Sequence, residues 1–132
     1  MNYIEDNINR ICTYLRDRAR ISESVIGIEL EYVIIDIPGN QSVSYDVTNG
    51  KPGVKQILES LSKKYPNRTY DIENEIIGLA RQHDKGYVET ISLEPGAAFE
   101  FSAGPFRNLE DVKLSYEKFE SEVYEIIEPL GY

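Results

Sequence analysis

The sequence contains one cysteine, one histidine and no tryptophan, which limits the chemistry that it can support. The lone cysteine, Cys12, excludes an internal disulfide, and a metal cluster built from several cysteines and histidines is excluded as well. Because Cys12 falls on the apolar side of a predicted helix, we expect its thiol to be buried. His83 lies in the polar, glycine-containing stretch of residues 82–86, and we expect it in an exposed loop.

Several common sequence signals are also missing. No apolar run approaches the ~18 residues that a membrane span needs, and the first residues lack the basic-then-apolar order of a signal peptide. The cytoplasm is therefore the expected compartment. The sequence has no phosphate-binding loop ending in Lys-Ser or Lys-Thr and no Gly-x-Gly-x-x-Gly nucleotide motif. Ser102 has no histidine near it in sequence, which argues against a hydrolase triad.

Positive charge is scarce, with 14 Lys and Arg against 23 Asp and Glu and a net charge of −9. Such a chain repels nucleic-acid phosphates and anionic membrane surfaces, so neither is an expected partner. ATP is not excluded, provided that cations bridge its phosphates to acidic side chains. The length of 132 residues, without low-complexity stretches, favours one ordered domain over residues 1–132.

Periodic apolar residues predict helices at three places in the chain. Residues 3–20 are expected to form an amphipathic helix. Its apolar residues at helical spacing are Ile4, Ile8, Ile11, Leu15 and Ala19. A second helix is expected from residue 54 until shortly before Pro66. Asn108, with an aspartate three residues later, predicts the N-cap of a third helix that runs nearly to the last residue.

The remaining segments predict strands and an α+β fold. β-Branched residues favour a long strand over residues 25–37, and four short strands are expected over residues 70–72, 75–82, 87–93 and 98–102. Short connections between successive strands indicate antiparallel pairing. We therefore expect one antiparallel β-sheet with helices packed on one face.

Glutamates alternate with apolar residues in the predicted strands. The four that follow this pattern are Glu29, Glu31, Glu94 and Glu100. Because successive side chains of a strand face opposite ways, the apolar neighbours take one face and the glutamates the other. If the apolar faces pack against the helices, the four carboxylates gather on the helix-free face. Carboxylates at that density repel one another unless a cation neutralises them, and hard oxygen ligands suit Mg²⁺.

Exposed glutamates on a sheet are common, so the alternation alone leaves a merely solvated face open. Two features favour a metal site. Glutamate is a poor strand former, yet two glutamates lie near the centre of the strongly β segment 25–37. The segments around Glu31 and Glu100 also have the composition of well-packed strands rather than of sheet edges.

Two parts of the chain resemble the glutamate–cysteine ligase family. Residues 27–32, Gly-Ile-Glu-Leu-Glu-Tyr, are similar to the family's Gly-x-Glu-x-Glu strand. A second, longer block resembles the plant and proteobacterial type. It consists of residues 76–79, Ile-Ile-Gly-Leu, and 91–105, Ile-Ser-Leu-Glu-Pro-Gly-Ala-Ala-Phe-Glu-Phe-Ser-Ala-Gly-Pro. The first motif is short and the second is specific, and their order and approximate spacing match the family.

The resemblance implies a curved antiparallel sheet related to that of glutamine synthetase, with the active site in its concave face. It implies that Glu29, Glu31, Glu94 and Glu100 bind Mg²⁺, with Mn²⁺ as a substitute; no catalytic residue is assigned. The implied reaction uses ATP to phosphorylate the γ-carboxylate of L-glutamate. The amine of L-cysteine then displaces phosphate and gives γ-glutamylcysteine, the first step of glutathione biosynthesis.

Two departures from the family pattern affect what this chain is expected to do. Ala97 and Ala98 stand where the plant type has glycine and glutamine, so any contact made by the glutamine is lost. Family enzymes are several hundred residues long, and this chain matches about the first third. We therefore expect a truncated piece rather than a naturally short protein. It should bind Mg²⁺ weakly, turn over no ATP and self-associate through an open sheet edge.

Two other functions stay open. One is a related carboxylate–amine ligase that uses another amine, since most discriminating residues would lie beyond this sequence. The other is a non-catalytic acidic domain that binds a protein partner, in which the glutamates are simply solvated.

Overall fold

An antiparallel sheet with helices on one side dominates the computed structural model, which describes residues 3–19 and 24–132. The elements, in chain order, are α1 (Tyr3–Arg18), β1 (Ile26–Tyr32), β2 (Ile35–Asp36), β3 (Gln41–Ser42), α2 (Val54–Leu61), β4 (Asn67–Tyr70), β5 (Ile76–Gln82), β6 (Val88–Glu94), β7 (Ala98–Phe106) and α3 (Leu109–Ile127), followed by a 3-10 turn (Glu128–Leu130). The main sheet has the strand order β1-β7-β6-β5-β4, and β2 pairs only with β3. The expected α+β class with an antiparallel sheet is confirmed.

The alternation of side chains gives the main sheet one apolar face. Leu79 of β5 pairs with Ile91 of β6, and Ile91 pairs with Phe101 of β7. All three side chains are buried, so this row lies in the core. Their neighbours in sequence point to the opposite face, as the period of two requires.

Two of the three helices cover the apolar face. One side of α2 is buried through Val54, Ile57, Leu58 and Leu61. From α3, the ring of Phe119 stacks on Phe101 with a centroid distance of 4.1 Å. The side chain of Asn108 accepts a 2.9 Å hydrogen bond from the backbone N–H of Asp111, which confirms the predicted N-cap. The other face of the sheet carries no described helix.

The first helix departs from expectation in its packing. Its span agrees with the predicted 3–20 up to Arg18, and residue 20 lies outside the described residues. Within the described residues, however, α1 packs against no other helix or strand, and none of its residues is buried. The prediction of a buried thiol at Cys12 is wrong, because the whole helix around it is exposed.

The predicted strand over residues 25–37 is also wrong beyond Tyr32. At Ile34 the side chain turns into the core, and the backbone carbonyl accepts a 2.9 Å hydrogen bond from the N–H of Val43. The chain therefore leaves the main sheet and forms the short β2–β3 ribbon instead. Elsewhere the differences are small: the strand predicted at residues 70–72 is β4, a few residues earlier, and β7 extends to Phe106.

Candidate functional site

The pairing of β1 with β7 places two of the predicted site residues directly opposite each other. Glu31 pairs with Glu100 across these strands, and directly opposed residues have Cβ atoms about 4.5–5.5 Å apart. On its other side, Glu100 is opposite Ser92 of β6. Two acidic side chains therefore face each other on the helix-free face, within reach of a single bound cation.

Two serine hydroxyls hold the carboxylate of Glu100. The Oγ of Ser92 donates a hydrogen bond of 3.3 Å to Oε1 of Glu100, and the Oγ of Ser102 donates one of 3.2 Å to the same oxygen. Both serine hydroxyls bind Oε1, and neither of them binds Oε2. The bond from Ser92 holds Oε1 of this half-buried carboxylate on the side of β6, and hydrogen-bonded partners of this kind fix the carboxylate ligands of metals.

The other two predicted residues lie on the same face but farther from this pair. Glu29 of β1 is opposite Ser102, two residues along from Glu31. Glu94 ends β6 and is opposite Ala98, so it lies two residues beyond the Ser92–Glu100 pair. The shared face of the four glutamates, predicted from alternation alone, agrees with this register. Their role as metal ligands stays a prediction.

The glutamates of β1 do not lie in a well-packed inner strand, and that expectation is wrong. β1 is an edge strand of the main sheet, so Glu29 and Glu31 do not lie in its interior. Both are exposed, as is Glu94, and only Glu100 is partly buried. Edge glutamates are commonly solvated and blunt strand-to-strand aggregation. The edge position of β1 therefore supports the alternative in which the glutamates are simply solvated.

The donor set of this face fits a loosely held Mg²⁺. Among the residues that the structure describes, no three His, Cys, Asp or Glu side chains are grouped so that they would hold a metal ion by themselves. Mg²⁺ is typically bound through one or two carboxylates, with waters and substrate phosphates completing its shell. Glu31 and Glu100 would supply two such carboxylates. Glu29 and Glu94 flank them and would interact with the ion through water.

A shallow concavity of about 540 Å³ opens on the same face and begins at the neighbouring pair of Glu29 and Ser102. Its wall includes Glu29, Thr90 and Ser102, from three neighbouring strands. The close approach of β1 and β7 shapes it: a Cβ on Gly104 would lie 3.0 Å from the carbonyl oxygen of Ile26. Small and hydroxyl-bearing residues thus leave room next to the carboxylates.

The opposite face of the sheet holds a buried ionic cluster that was not predicted. Arg81 of β5 binds the carboxylate of Glu89, which is directly opposite on β6 and fully buried. The same guanidinium also donates hydrogen bonds of 3.0 and 3.1 Å to Glu122 of α3. The cluster therefore ties the helix to two central strands.

Neutral groups complete the shell around Glu89. The Oγ of Ser115 donates a hydrogen bond of 2.7 Å to Oε1 of Glu89, and the hydroxyl of Tyr65 accepts one of 3.1 Å from Arg81. Burial alone would raise the pKa of Glu89. The hydrogen bonds from Ser115 and Arg81, together with the positive charge of Arg81, outweigh burial and lower that pKa.

His83 is not the exposed loop residue that was expected. Its ring stacks on Tyr87 with a centroid distance of 4.2 Å, and its Nε2 lies 3.1 Å from Oε1 of Glu89. The Nε2 atom is buried, and the angle at which it faces that oxygen is unsuitable for a hydrogen bond. The prediction is wrong because His83 continues the pairing of β5 with β6, its N–H donating a 2.9 Å hydrogen bond to the carbonyl of Tyr87. Two residues after Arg81 along the strand direction, its side chain takes the same face and reaches the edge of the cluster.

Strand parity contained the signal for Glu89. This residue has the same parity as Ile91 and Leu93, so it belongs to the apolar face, where a lone carboxylate requires a partner. The alternation of β6 therefore indicates that a buried partner lies near Glu89.

None of the helices that the structure describes has the length and apolarity needed to cross a membrane. No protein-family model matches the chain.

Proposed function

We propose that this chain is the amino-terminal part of an ATP- and Mg²⁺-dependent carboxylate–amine ligase of the glutamate–cysteine ligase type. The observation that carries the proposal is the opposition of Glu31 and Glu100 on the helix-free face, within the two segments that resemble the family. In this proposal the main sheet is the first part of a glutamine-synthetase-like sheet, and its helix-free face is the concave one. The cytoplasm is the proposed compartment.

The four glutamates would bind the ion in two different ways. Glu31 and Glu100 would hold Mg²⁺ directly, and Glu29 and Glu94 would contribute charge and water-mediated contacts from either end. When bound, Mg²⁺ would screen the ATP phosphates and stabilise charge on the transferred phosphoryl group. The protein's own task is to position the carboxylates relative to the phosphates. The hydroxyls of Ser92 and Ser102 contribute by fixing the side chain of Glu100.

The proposed reaction follows from the resemblance. The γ-carboxylate of L-glutamate attacks the γ-phosphorus of ATP, which releases ADP and gives an acyl phosphate. The amine of L-cysteine then attacks the acyl carbon, and phosphate leaves as the amide bond forms. The described residues provide carboxylates on this face but no cluster of arginines beside them to bind phosphate, so we expect the isolated chain to turn over no ATP.

Metal binding tests the proposal most directly. In a titration with Mn²⁺ followed by electron paramagnetic resonance, Glu31→Gln and Glu100→Gln should each weaken binding by about tenfold or more, as loss of a ligand does. Glu29→Gln and Glu94→Gln should have smaller effects. Glu59→Gln, at an exposed position of α2, is the matched control and should leave binding unchanged.

Two results would contradict the proposal in different ways. Unchanged Mn²⁺ binding in all four variants would favour the alternative of an acidic protein-binding domain with solvated glutamates. Ligase turnover by the isolated 132-residue chain would contradict the idea that it is an incomplete active site. The related ligase with another amine is separated by assaying the longer enzyme with glutamate and a panel of amines.

Self-association through a sheet edge is part of the same proposal. The main sheet is open, with β1 at one edge and β4 at the other. Unpaired backbone groups on such edges are templates for pairing with a second chain. Partner strands from the remainder of a longer enzyme would cover an edge and remove this tendency.

A further inference from the structure

The helix α1 presents an apolar stripe that nothing described covers. Ile4, Ile8, Ile11 and Leu15 follow one another at intervals of four, three and four residues, so they lie on one side of the helix. Their side chains are between 53% and 71% exposed. Such i, i+4, i+7, i+11 spacing is the pattern by which a helix anchors itself in an apolar groove.

A groove of matching character lies elsewhere on the surface. It has a volume of about 270 Å³ and runs between α3 and the segment that follows β1. Val33 and Ile37 form one wall, Tyr124 belongs to the α3 wall, and all three are exposed. The groove's lining is mostly apolar, so covering it removes apolar surface from water.

Charge at the rim of the groove is complementary to one end of α1. Glu120 lines the groove, Glu117 lies on the same side of α3 by helical spacing, and Glu128 follows α3 as the first residue of the 3-10 turn. One lysine, Lys113, offsets this in part through a 3.8 Å ion pair with Glu117. The rim therefore stays acidic.

The charges of α1 itself are separated along its axis. The first turn carries Glu5 and Asp6, a net charge of −2, whereas the last turn carries Arg16 and Arg18 with Asp17 between them, a net charge of +1. The basic end is attracted to an acidic rim and the acidic end is repelled by it, so the rim favours one orientation of the helix. Two chains of net charge −9 repel each other at long range, so local pairs between the arginines of α1 and the acidic rim are needed to offset that repulsion at the contact.

We propose that two copies of this chain form a dimer by exchanging α1, with the stripe of each copy seated in the groove of the other. One chain supplies both halves of the contact, so the pair closes with two-fold symmetry and each contact is made twice. The arginines of the last turn of α1 lie against the acidic edge of α3. This interface uses neither sheet edge and is independent of the metal site.

Sedimentation velocity over a concentration series of the purified chain tests the exchange. Ile8→Asp places a charge in the stripe, and Ile37→Asp places one in the groove; each should raise the dimer dissociation constant by about tenfold or more, as loss of a central anchor does. Thr13→Asp, on the opposite side of α1, should have little effect. Circular dichroism melting of each variant establishes that the sheet remains folded.

Mixing the two defective variants separates exchange from other modes of association. A mixed pair retains one intact stripe and one intact groove that can meet, so the mixture should associate more tightly than either variant alone. Pairing through a sheet edge gives no such recovery, and a dimer unaffected by Ile8→Asp would overturn the proposal. A chain that stays monomeric at every concentration would also overturn the proposal. Hydrogen exchange of the α1 amides would then show whether the helix is free in solvent or docked on its own copy.

Discussion

The Nε of Arg81 donates a 2.9 Å hydrogen bond to the fully buried carboxylate of Glu89. Because the two residues are directly opposite on neighbouring strands, the bond spans β5 and β6 beneath α3. Glu122 of α3 binds the same guanidinium, so a single cation holds three elements together. The stability of the domain should therefore depend strongly on Arg81.

Removing the cation should be costly. Arg81→Met leaves the carboxylate of Glu89 buried without a cation, with the hydroxyls of Ser115 and Tyr65 as its hydrogen-bond donors, and breaking a buried pair in this way costs about 3–5 kcal/mol. The double variant Arg81→Met/Glu89→Met should lose less than the sum of the single changes, because the carboxylate of Glu89 is no longer left unpaired, and Glu122 loses its partner equally in both Arg81 variants. Urea unfolding monitored by circular dichroism measures each value. Lys118→Met, at an exposed position of α3, is the control and should change the free energy of unfolding little.

The same pair predicts how stability responds to acid. The pKa of Glu89 is lowered from its ordinary value of 4.5, so its contribution to stability is fully present above pH 4.5 and is lost as the pH falls through the lower folded pKa. In Arg81→Met, burial instead favours the neutral acid. The stability difference between the wild type and Arg81→Met should therefore shrink as the pH falls, above pH 4.5 because the variant is relieved as Glu89 takes up a proton, and below pH 4.5 because the wild type loses its ion pair. Urea unfolding at a series of pH values measures this, and a difference that stays constant would contradict the assignment.

Alternation along the strands was sufficient to predict the face on which the glutamates lie. It depends only on local geometry: once Ile91 and Phe101 are buried, Glu100 must point the other way. Alternation does not say which strand lies at an edge, since that depends on pairing between distant segments. The edge position of β1, and with it the exposure of Glu29 and Glu31, could not be predicted for that reason.

The packing of α1 is the other feature that the sequence left undetermined. Its apolar periodicity correctly predicted a helix, because amphipathicity reports that a helix has an apolar side. The same pattern is satisfied by any apolar partner, within the chain or on another copy. The exposed thiol of Cys12 follows from this ambiguity, as does the exposed stripe around Ile8.

The turn between β6 and β7 predicts a stabilising substitution. Ala97 has a positive φ of 62°, a left-handed conformation that costs a non-glycine residue about 1–2 kcal/mol. Ala97→Gly removes that strain but adds about 0.4–1 kcal/mol of unfolded-chain entropy and loses one methyl contact with the core. We expect a net gain of a few tenths to about 1 kcal/mol in thermal or urea unfolding. Ala98→Gly, one residue later within β7, should instead destabilise by about 0.5–1 kcal/mol.

The start of α2 leaves no room for a side chain on Gly53. A Cβ there would lie well inside contact distance of the backbone carbonyl oxygens of Tyr45 and Asp46. That neighbouring segment is fixed, because the N–H of Val54 donates a 2.9 Å hydrogen bond to the carbonyl of Ser44 and the N–H of Lys55 donates one of 3.0 Å to Tyr45.

Backbone atoms held in this way cannot move aside as a flexible side chain would. Gly53→Ala should therefore reduce the free energy of unfolding by about 1–3 kcal/mol or more, the range found for overpacked sites. Gly27→Ala is the matched control, since a Cβ at that position would meet its nearest neighbour at 3.8 Å. In parallel urea unfolding experiments, equal stability of the two variants would show that the chain around residues 44–46 adjusts freely, whereas a large loss confined to Gly53→Ala is expected from the fixed backbone.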